Sequence, residues 1–364
     1  MNILIMSPTV LKHDAVGNDI EAMFKILSSQ YPCKVFAEGK INSHVDYIED
    51  ELLHDWLNDP ISVVIYHHSI YWQEGEMLLK KAKGKIVFKY HNITPASFFR
   101  SYFQPYADLC ELGRHQTERL QMVFPNALWL ADSQFNAQDL MISHPDNVEI
   151  CPPFHRIETI DQRIMDEEIY AKIKEEKEIN LLFVGRVAPN KGHLQLIEIL
   201  HNIRMNYTSN VKLRIIGKFD KNLHGYNEIL KYKIGEYRLK KHVEFIGEIN
   251  EKSLVSYYKG SDFFVCASEH EGFCVPIIEA QYFGLPILTL SSSAVDETIG
   301  NHQLILDDDV RQFCSAIELL TLKPKYRKYL IEMGQLNFNQ RFRVEIIEER
   351  FRSIMTKHAK VPLL

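Results

Sequence analysis

The stretch Ser268-Glu269-His270-Glu271-Gly272-Phe273-Cys274-Val275-Pro276-Ile277-Ile278-Glu279-Ala280 sets two carboxylates, Glu271 and Glu279, around a Gly and a Pro, directly after an apolar run, Phe263-Phe264-Val265-Cys266. A short apolar run bounded by turn residues reads as a buried strand. Pro276 suits the first position of a following helix, where a missing N–H costs nothing. The free N–H groups of Phe273, Cys274 and Val275 then point out of the helix end, and such an end binds anions, phosphate above all. Glu279 falls about one turn further in, roughly 5 Å along the axis. A carboxylate touching a phosphate would repel it, but one step away it can accept hydrogen bonds from the hydroxyls of an attached ribose. Glu271, on the loop, faces what lies beyond the phosphate. The chemistry served by this spacing is the holding of a nucleotide sugar. The same residues also fit an ordinary strand, loop and helix with surface glutamates.

A second segment adds cations. Ile179-Asn180-Leu181-Leu182-Phe183-Val184 is strand-like, Gly185-Arg186-Val187-Ala188-Pro189-Asn190-Lys191-Gly192 follows, and Leu194, Ile197, Leu200 and Ile203 recur at helical spacing. Arg186 offers a fork of donors suited to phosphate oxygens, and Lys191 a mobile point charge. Two cations across an anion-binding helix end neutralise a diphosphate and hold it as a leaving group.

With both segments in place, the chain resembles the retaining glycosyltransferases of family 4. Asp14-Ala15-Val16-Gly17-Asn18-Asp19, Tyr66-His67-His68-Ser69 and Tyr90-His91-Asn92-Ile93-Thr94-Pro95 extend the resemblance toward the branch that builds bacterial surface polysaccharides, many of whose members are mannosyltransferases. The resemblance implies the GT-B architecture, two Rossmann-like, doubly wound α/β domains facing across a cleft. It implies that Glu271 contacts the donor sugar, that Glu279 binds the ribose, and that Arg186 and Lys191 steady the departing phosphate with the amides of Phe273–Val275. It also implies that His91 stands near the donor sugar. Gly17 would let backbone approach the donor closely, although the family usually has a Gly-Gly pair where this chain has Val16-Gly17-Asn18. Gly185, Gly217 and Gly272 join the donor side; Asn18, His67 and His68 are candidates for the acceptor side.

The elements that must carry these residues follow from apolar periodicity. Strand-like runs at 2–6, 63–66, 86–90 and 127–131 alternate with helical ones, including one near 19–29 and one from Gln134 capped by Ser133. Runs at 181–184, 213–216, 243–246, 263–266 and 287–290 do the same in the second half. Such alternation argues for two parallel sheets, with ligands at the C-terminal strand ends. Gly17, Tyr66–Ser69, His91, Gly185-Arg186 and Gly217-Lys218 all fall there. The expected domains are 1–155, on the acceptor side, and 156–342, on the nucleotide-sugar side, joined by a stiff connector at Cys151-Pro152-Pro153-Phe154. A charged stretch, 161–178, follows it. The amphipathic helix within 343–364 is expected, by resemblance, to cross back to the first domain.

Composition excludes several classes. A chain of 364 residues suggests two domains, and 46% hydrophobic with 25% charged residues is ordinary for a globular protein. The net charge of −6 argues against nucleic acid as partner. Residues 1–165 carry 14 Lys and Arg against 21 Asp and Glu, and the remainder 28 against 27. Lys80, Lys81, Lys83, Lys85 and Lys89 cluster within the acidic half, either as a solvated helix end or as a contact for anionic lipid head groups or a lipid pyrophosphate. Six scattered cysteines with no CxxC pair read as reduced cytosolic thiols. The N-terminus shows no signal-peptide pattern, and no apolar run reaches a membrane span. The protein is therefore expected in the cytoplasm, or peripherally at the inner membrane face. Asp307-Asp308-Asp309 contains a nominal metal-binding DxD but stands near no other motif, and the resemblance implies no metal; neither metal nor other cofactor is expected.

The expected reaction is transfer of a hexose, mannose from GDP-mannose, to a hydroxyl of a glycan acceptor linked to polyprenyl pyrophosphate. The alternatives are a UDP-sugar-dependent retaining hexosyltransferase, an enzyme that epimerises or hydrolyses a nucleotide sugar, and a non-catalytic nucleotide-sugar-binding subunit. No separate acid/base constellation supports the epimerase or hydrolase, and Arg186, Lys191, Glu271 and Glu279 are all present, against the non-catalytic subunit.

Overall fold

Strands in a parallel sheet are covered on both faces, so they form from near-continuous apolar runs. This chain supplies two such sets. The computed structural model describes residues 1–11, 14–42, 44–141, 147–160, 164–307 and 309–363. The first set comprises β1 (Ile3–Met6), β2 (Thr9–Val10), β3 (Cys33–Phe36), β4 (Gly39–Lys40), β5 (Val63–His68), β6 (Lys85–Tyr90), β7 (Leu128–Ala131) and β8 (Val148–Ile150). Six of them make an all-parallel sheet in the order β3-β1-β5-β6-β7-β8, while β2 and β4 pair separately. The second set, β9 (Ile179–Val184), β10 (Val211–Ile216), β11 (Val243–Gly247), β12 (Phe263–Cys266), β13 (Ile287–Leu290) and β14 (Leu304–Leu306), is parallel in the order β11-β10-β9-β12-β13-β14. That is the Rossmann order, with the strand sequence reversing between β9 and β12; in the first sheet it reverses between β1 and β5.

The chain divides into two compact units, Met1–Ala96 with Pro105–Arg156 and Arg343–Leu364, and Ser97–Gln104 with Ile157–Phe342. In the first unit, Ile3, Ile5, Ile65 and Leu130 pack with Ile347, Phe351 and Ile354 of the C-terminal helix Val344–Ile354. In the second, Leu182, Phe264, Ile277 and Ile287 anchor the core. Ser97–Gln104, placed by sequence with the first domain, groups with the second unit, where Tyr102 meets Tyr226 edge-on at 5.1 Å. The connector Cys151–Phe154 is buried, and Phe154 packs edge-on against Phe351 at 5.8 Å, so it is part of the first unit's core. β3 and β8, short and framed by polar residues, were not evident from periodicity. Ser133 caps its helix as expected, its Oγ accepting from Asn136 N at 3.1 Å.

Candidate functional site

In the second unit the loops after β9 and β12 adjoin at the strand reversal, where ligands of open α/β sheets sit. Glycines allow the approach. A Cβ at Gly192 (φ +67°) would lie 1.8 Å from the carbonyl oxygen of Ala267, and one at Gly217 would lie 2.0 Å from that of Gly185. Lys191, in the short turn Pro189–Lys191, donates to both Glu271 oxygens, at 2.7 and 2.8 Å. Burial depresses the Lys191 ammonium, but the charge and hydrogen bond of Glu271, with Cys274 and Cys266 nearby, together outweigh it and raise its pKa. Glu271 N–H donates to Ser293 Oγ at 2.8 Å. Asn190 clasps the same loop: its carbonyl accepts from Glu269 N at 2.9 Å and its Nδ2 donates to the His270 carbonyl at 3.1 Å. Arg186 is half exposed, and its Nη1 stands 3.8 Å from Asp220 Oδ2.

Helix Val275–Tyr282 begins after Cys274, which adopts a left-handed backbone (φ +73°, ψ +68°) with Pro276 in the first turn. A non-glycine residue there stores strain, as functional sites often do. No hydrogen bond engages the amides of Phe273, Cys274 and Val275 among the described residues, while the Phe273 carbonyl is held by Thr298 Oγ1 at 2.6 Å. Gly272 precedes them. The Cys266 and Cys274 thiols hydrogen-bond to each other, which pulls Cys266 down to about 7 and pushes Cys274 up. Glu279 is half-buried, its Oε2 accepting from Tyr258 OH at 2.6 Å. Sequence reasoning missed Asn190, Ser293 and Tyr258, which act through partners far along the chain.

In the first unit a buried polar cluster lies below the strand ends. Lys89 Nζ, on β6, donates to Asp132 Oδ1 and to the Cys151 carbonyl. His91 Nδ1 meets Asp132 Oδ2 at 2.9 Å, and His91 Nε2 meets His67 Nδ1 at 2.9 Å. Asp19, on helix Ala15–Ser28, accepts from Phe154 N at 2.7 Å; its other oxygen stands 3.7 to 3.9 Å from His91, His67 and Lys89 with no hydrogen bond. Burial raises the Asp19 carboxyl, whereas for Asp132 the nearby His91 and Lys89 overcome burial and lower it. Asp19, His67 and His91 bring ligand-type atoms within 4.8 Å of one another. Lys89 already supplies a cation there, bonded to one acid and close to the other.

These placements revise several expectations. Both His91 ring nitrogens are engaged within the protein. His67 and His68 are fully buried instead of lining an acceptor surface. His68 Nε2 lies 2.8 Å from Thr117 Oγ1, which also contacts the Gly113 carbonyl at 3.1 Å. Gly17 makes room for the Leu11 carbonyl, which a Cβ would meet at 2.0 Å. Asn18, half-buried, sits in the same helix. Lys89 leaves the surface lysine cluster, while Lys80, Lys81, Lys83 and Lys85 remain exposed. Asp309 caps helix Val310–Leu322 and holds Arg311, and Asp307 holds Gln312 at 3.0 Å; Asp308 lies outside the described residues. No described helix is long and apolar enough to cross a membrane, and all six cysteines are free thiols.

The cation–carboxylate arrangement lies inside a segment that matches a known family model, the glycosyl transferases group 1, over residues 165–336. Both Arg186 and Lys191, with Glu271 and Glu279, lie in that segment. The chain is 25% identical over 197 residues to the capsular polysaccharide biosynthesis glycosyltransferase CapM of Staphylococcus aureus, covering 53% of this chain and 50% of that protein. It is 28% identical over 123 residues to the serotype-specific mannosyltransferase WbdA of Escherichia coli, covering 34% of this chain and 15% of that one. The aligned stretches thus span half or less of these two relatives. Among solved structures, HepE of Anabaena in complex with UDP and glucose superposes with a TM-score of 0.73 at 15% identity, over 98% of this chain and 100% of that one. The fold is GT-B, and the segment that matches the group 1 model lies in the second unit.

Proposed function

We propose that this chain is a retaining glycosyltransferase of surface-polysaccharide synthesis, moving a hexose from a nucleoside diphosphate sugar to a hydroxyl of a glycan acceptor. The observation that carries the reading is the Lys191–Glu271 pair at the β9–β12 reversal, with half-exposed Arg186 and the unengaged amides of residues 273–275 on the same group of loops. An arriving diphosphate competes with Glu271 for Lys191, gains Arg186 and the helix end, and frees Glu271 to face the sugar. As the bond from the anomeric carbon to phosphate oxygen breaks, negative charge grows where these donors are fixed, which is where preorganised electrostatics accelerates a reaction. The acceptor oxygen bonds to the anomeric carbon from the same face, and its proton leaves with the phosphate.

Mannose from GDP-mannose is the favoured donor, supported by branch resemblance and by similarity to WbdA; the UDP complex of HepE favours a UDP sugar as the second reading. The acceptor we infer is a polyprenyl-pyrophosphate-linked glycan at the cytoplasmic membrane face. Cations of the chain meet the phosphate charge, so transfer proceeds without a divalent ion or other cofactor.

The test is cleavage of GDP-mannose, UDP-glucose, UDP-galactose and UDP-N-acetylhexosamines in EDTA, with the product anomer read by NMR. One donor should be cleaved with retention, and Arg186→Ala should slow it by about 10²-fold or more. Near-wild-type rates in that variant sink the leaving-group role, and activity that returns only with manganese sinks the metal-free mechanism. Tight nucleotide binding without turnover on any donor or acceptor would instead favour the binding-subunit reading.

A further inference from the structure

Among the described residues the Glu279 carboxylate receives one hydrogen bond, and its donor is packed against two other rings. Tyr258, on helix Glu251–Gly260, is buried, and its ring stacks on Phe264 of β12 (6.2 Å between centroids, 23° between planes) and on Phe283 (5.0 Å, 15°). Its hydroxyl donates to Glu279 Oε2 at 2.6 Å, the length of a charge-assisted bond. Among the described residues no group pairs with Oε1, although a carboxylate has room for about four hydrogen bonds. Burial and the adjacent Glu279 raise the Tyr258 phenol well above its ordinary range, so it stays a donor at any physiological pH.

We propose that Tyr258 is the positioning residue of a vicinal-diol subsite: by fixing Oε2 of Glu279 it aims Oε1 at the paired hydroxyls of a nucleotide's ribose, and so selects ribonucleotides over their deoxy counterparts. The proposal rests on the reading of the 273–275 helix end as a diphosphate site. Glu279 stands one turn along the same helix, the step from a bound phosphate to its ribose. Asn or Gln beside Glu279 would also donate, but a buried ring packed against two others holds its donor with less side-chain freedom left to lose.

The experiment is calorimetric titration of UDP, GDP and ADP into the full chain, and of the 2′,3′-dideoxy form of whichever binds, using wild type, Tyr258→Phe, Glu279→Ala and the double variant. Phenylalanine keeps both ring stacks, so the fold persists. Tyr258→Phe should weaken the ribonucleotide roughly tenfold, the range for a hydrogen bond to a charged group, and leave the dideoxy form unchanged. The double variant should bind no worse than Glu279→Ala alone. A pH series supplies a second readout. Burial raises the Glu279 carboxyl and the Tyr258 bond lowers it, and Cys274 is the other titratable group facing the phenol. Removing the phenol should therefore move the acid-side loss of ribonucleotide affinity to higher pH.

Equal weakening of ribo and dideoxy ligands, or an unmoved pH midpoint, overturns the inference in favour of a packing role. Loss in Glu279→Ala with none in Tyr258→Phe overturns it while sparing the nucleotide site. Unchanged ribonucleotide affinity in Glu279→Ala, or no binding of any nucleotide by wild type, overturns the site reading and the inference with it.

Discussion

A lysine inside a parallel strand must bring its counter-charges with it, because an isolated buried ammonium is far too costly. Lys89 does so through Asp132 and the Cys151 carbonyl, with Asp19 close by. Replacing it with methionine, a side chain of similar length, strands two carboxylates in the interior. Lys89→Met should cost about 3–5 kcal/mol, the usual penalty for breaking a buried pair, and Lys89→Met/Asp132→Asn should recover part of it in denaturant titrations. A single-variant loss below about 1 kcal/mol would mean that water or a proton already compensates the acids. The sequence hinted at Lys89, since it interrupts the apolar run Ile86-Val87-Phe88-Lys89-Tyr90. It named no partner, because Asp19 and Asp132 lie on other elements.

At the scale of elements, buried element ends impose a pH dependence. His68 closes β5 and His193 opens the helix His193–Asn206, and burial pushes both down to about 3. Their folded pKa lies below the unfolded value, so the unfolded chain takes up protons first. Their contribution is complete above pH of about 6.5 and is lost as pH falls toward 3, at about 2 kcal/mol each by pH 5. Stability measured from pH 7.5 to 5 should fall steeply, and His68→Gln or His193→Phe should each flatten the slope. An unchanged slope in both variants would place the acid sensitivity elsewhere. Periodicity marked the strand run that His68 ends and the helix that His193 opens, but burial at an element's end depends on what packs over it, and local pattern does not report that.

For the whole molecule, charge is uneven: residues 1–165 hold 14 basic and 21 acidic side chains, yet Lys80, Lys81, Lys83 and Lys85 are all exposed within a few positions. A lipid-linked acceptor would bring the protein to an anionic surface, where each nearby lysine adds about 1 kcal/mol. Sedimentation with phosphatidylglycerol vesicles should be measurable at low salt and should disappear when these four are changed to glutamate. Equal sedimentation of the changed protein would leave the four as a solvated helix end. The sequence by itself determined the α/β alternation, the parallel sheets and the carboxylate–cation vocabulary of the second unit, because strand and helix periodicity, glycine turns and helix-start prolines act over a few neighbouring residues. Tertiary structure alone decided that Glu271 lies against Lys191, that Tyr258 holds Glu279, that His91 spends both ring nitrogens inside the protein, and that Gly17 serves a chain contact. Each depends on which distant backbone segments meet at a strand end, and hydrogen bonds and burial are fixed only when they do.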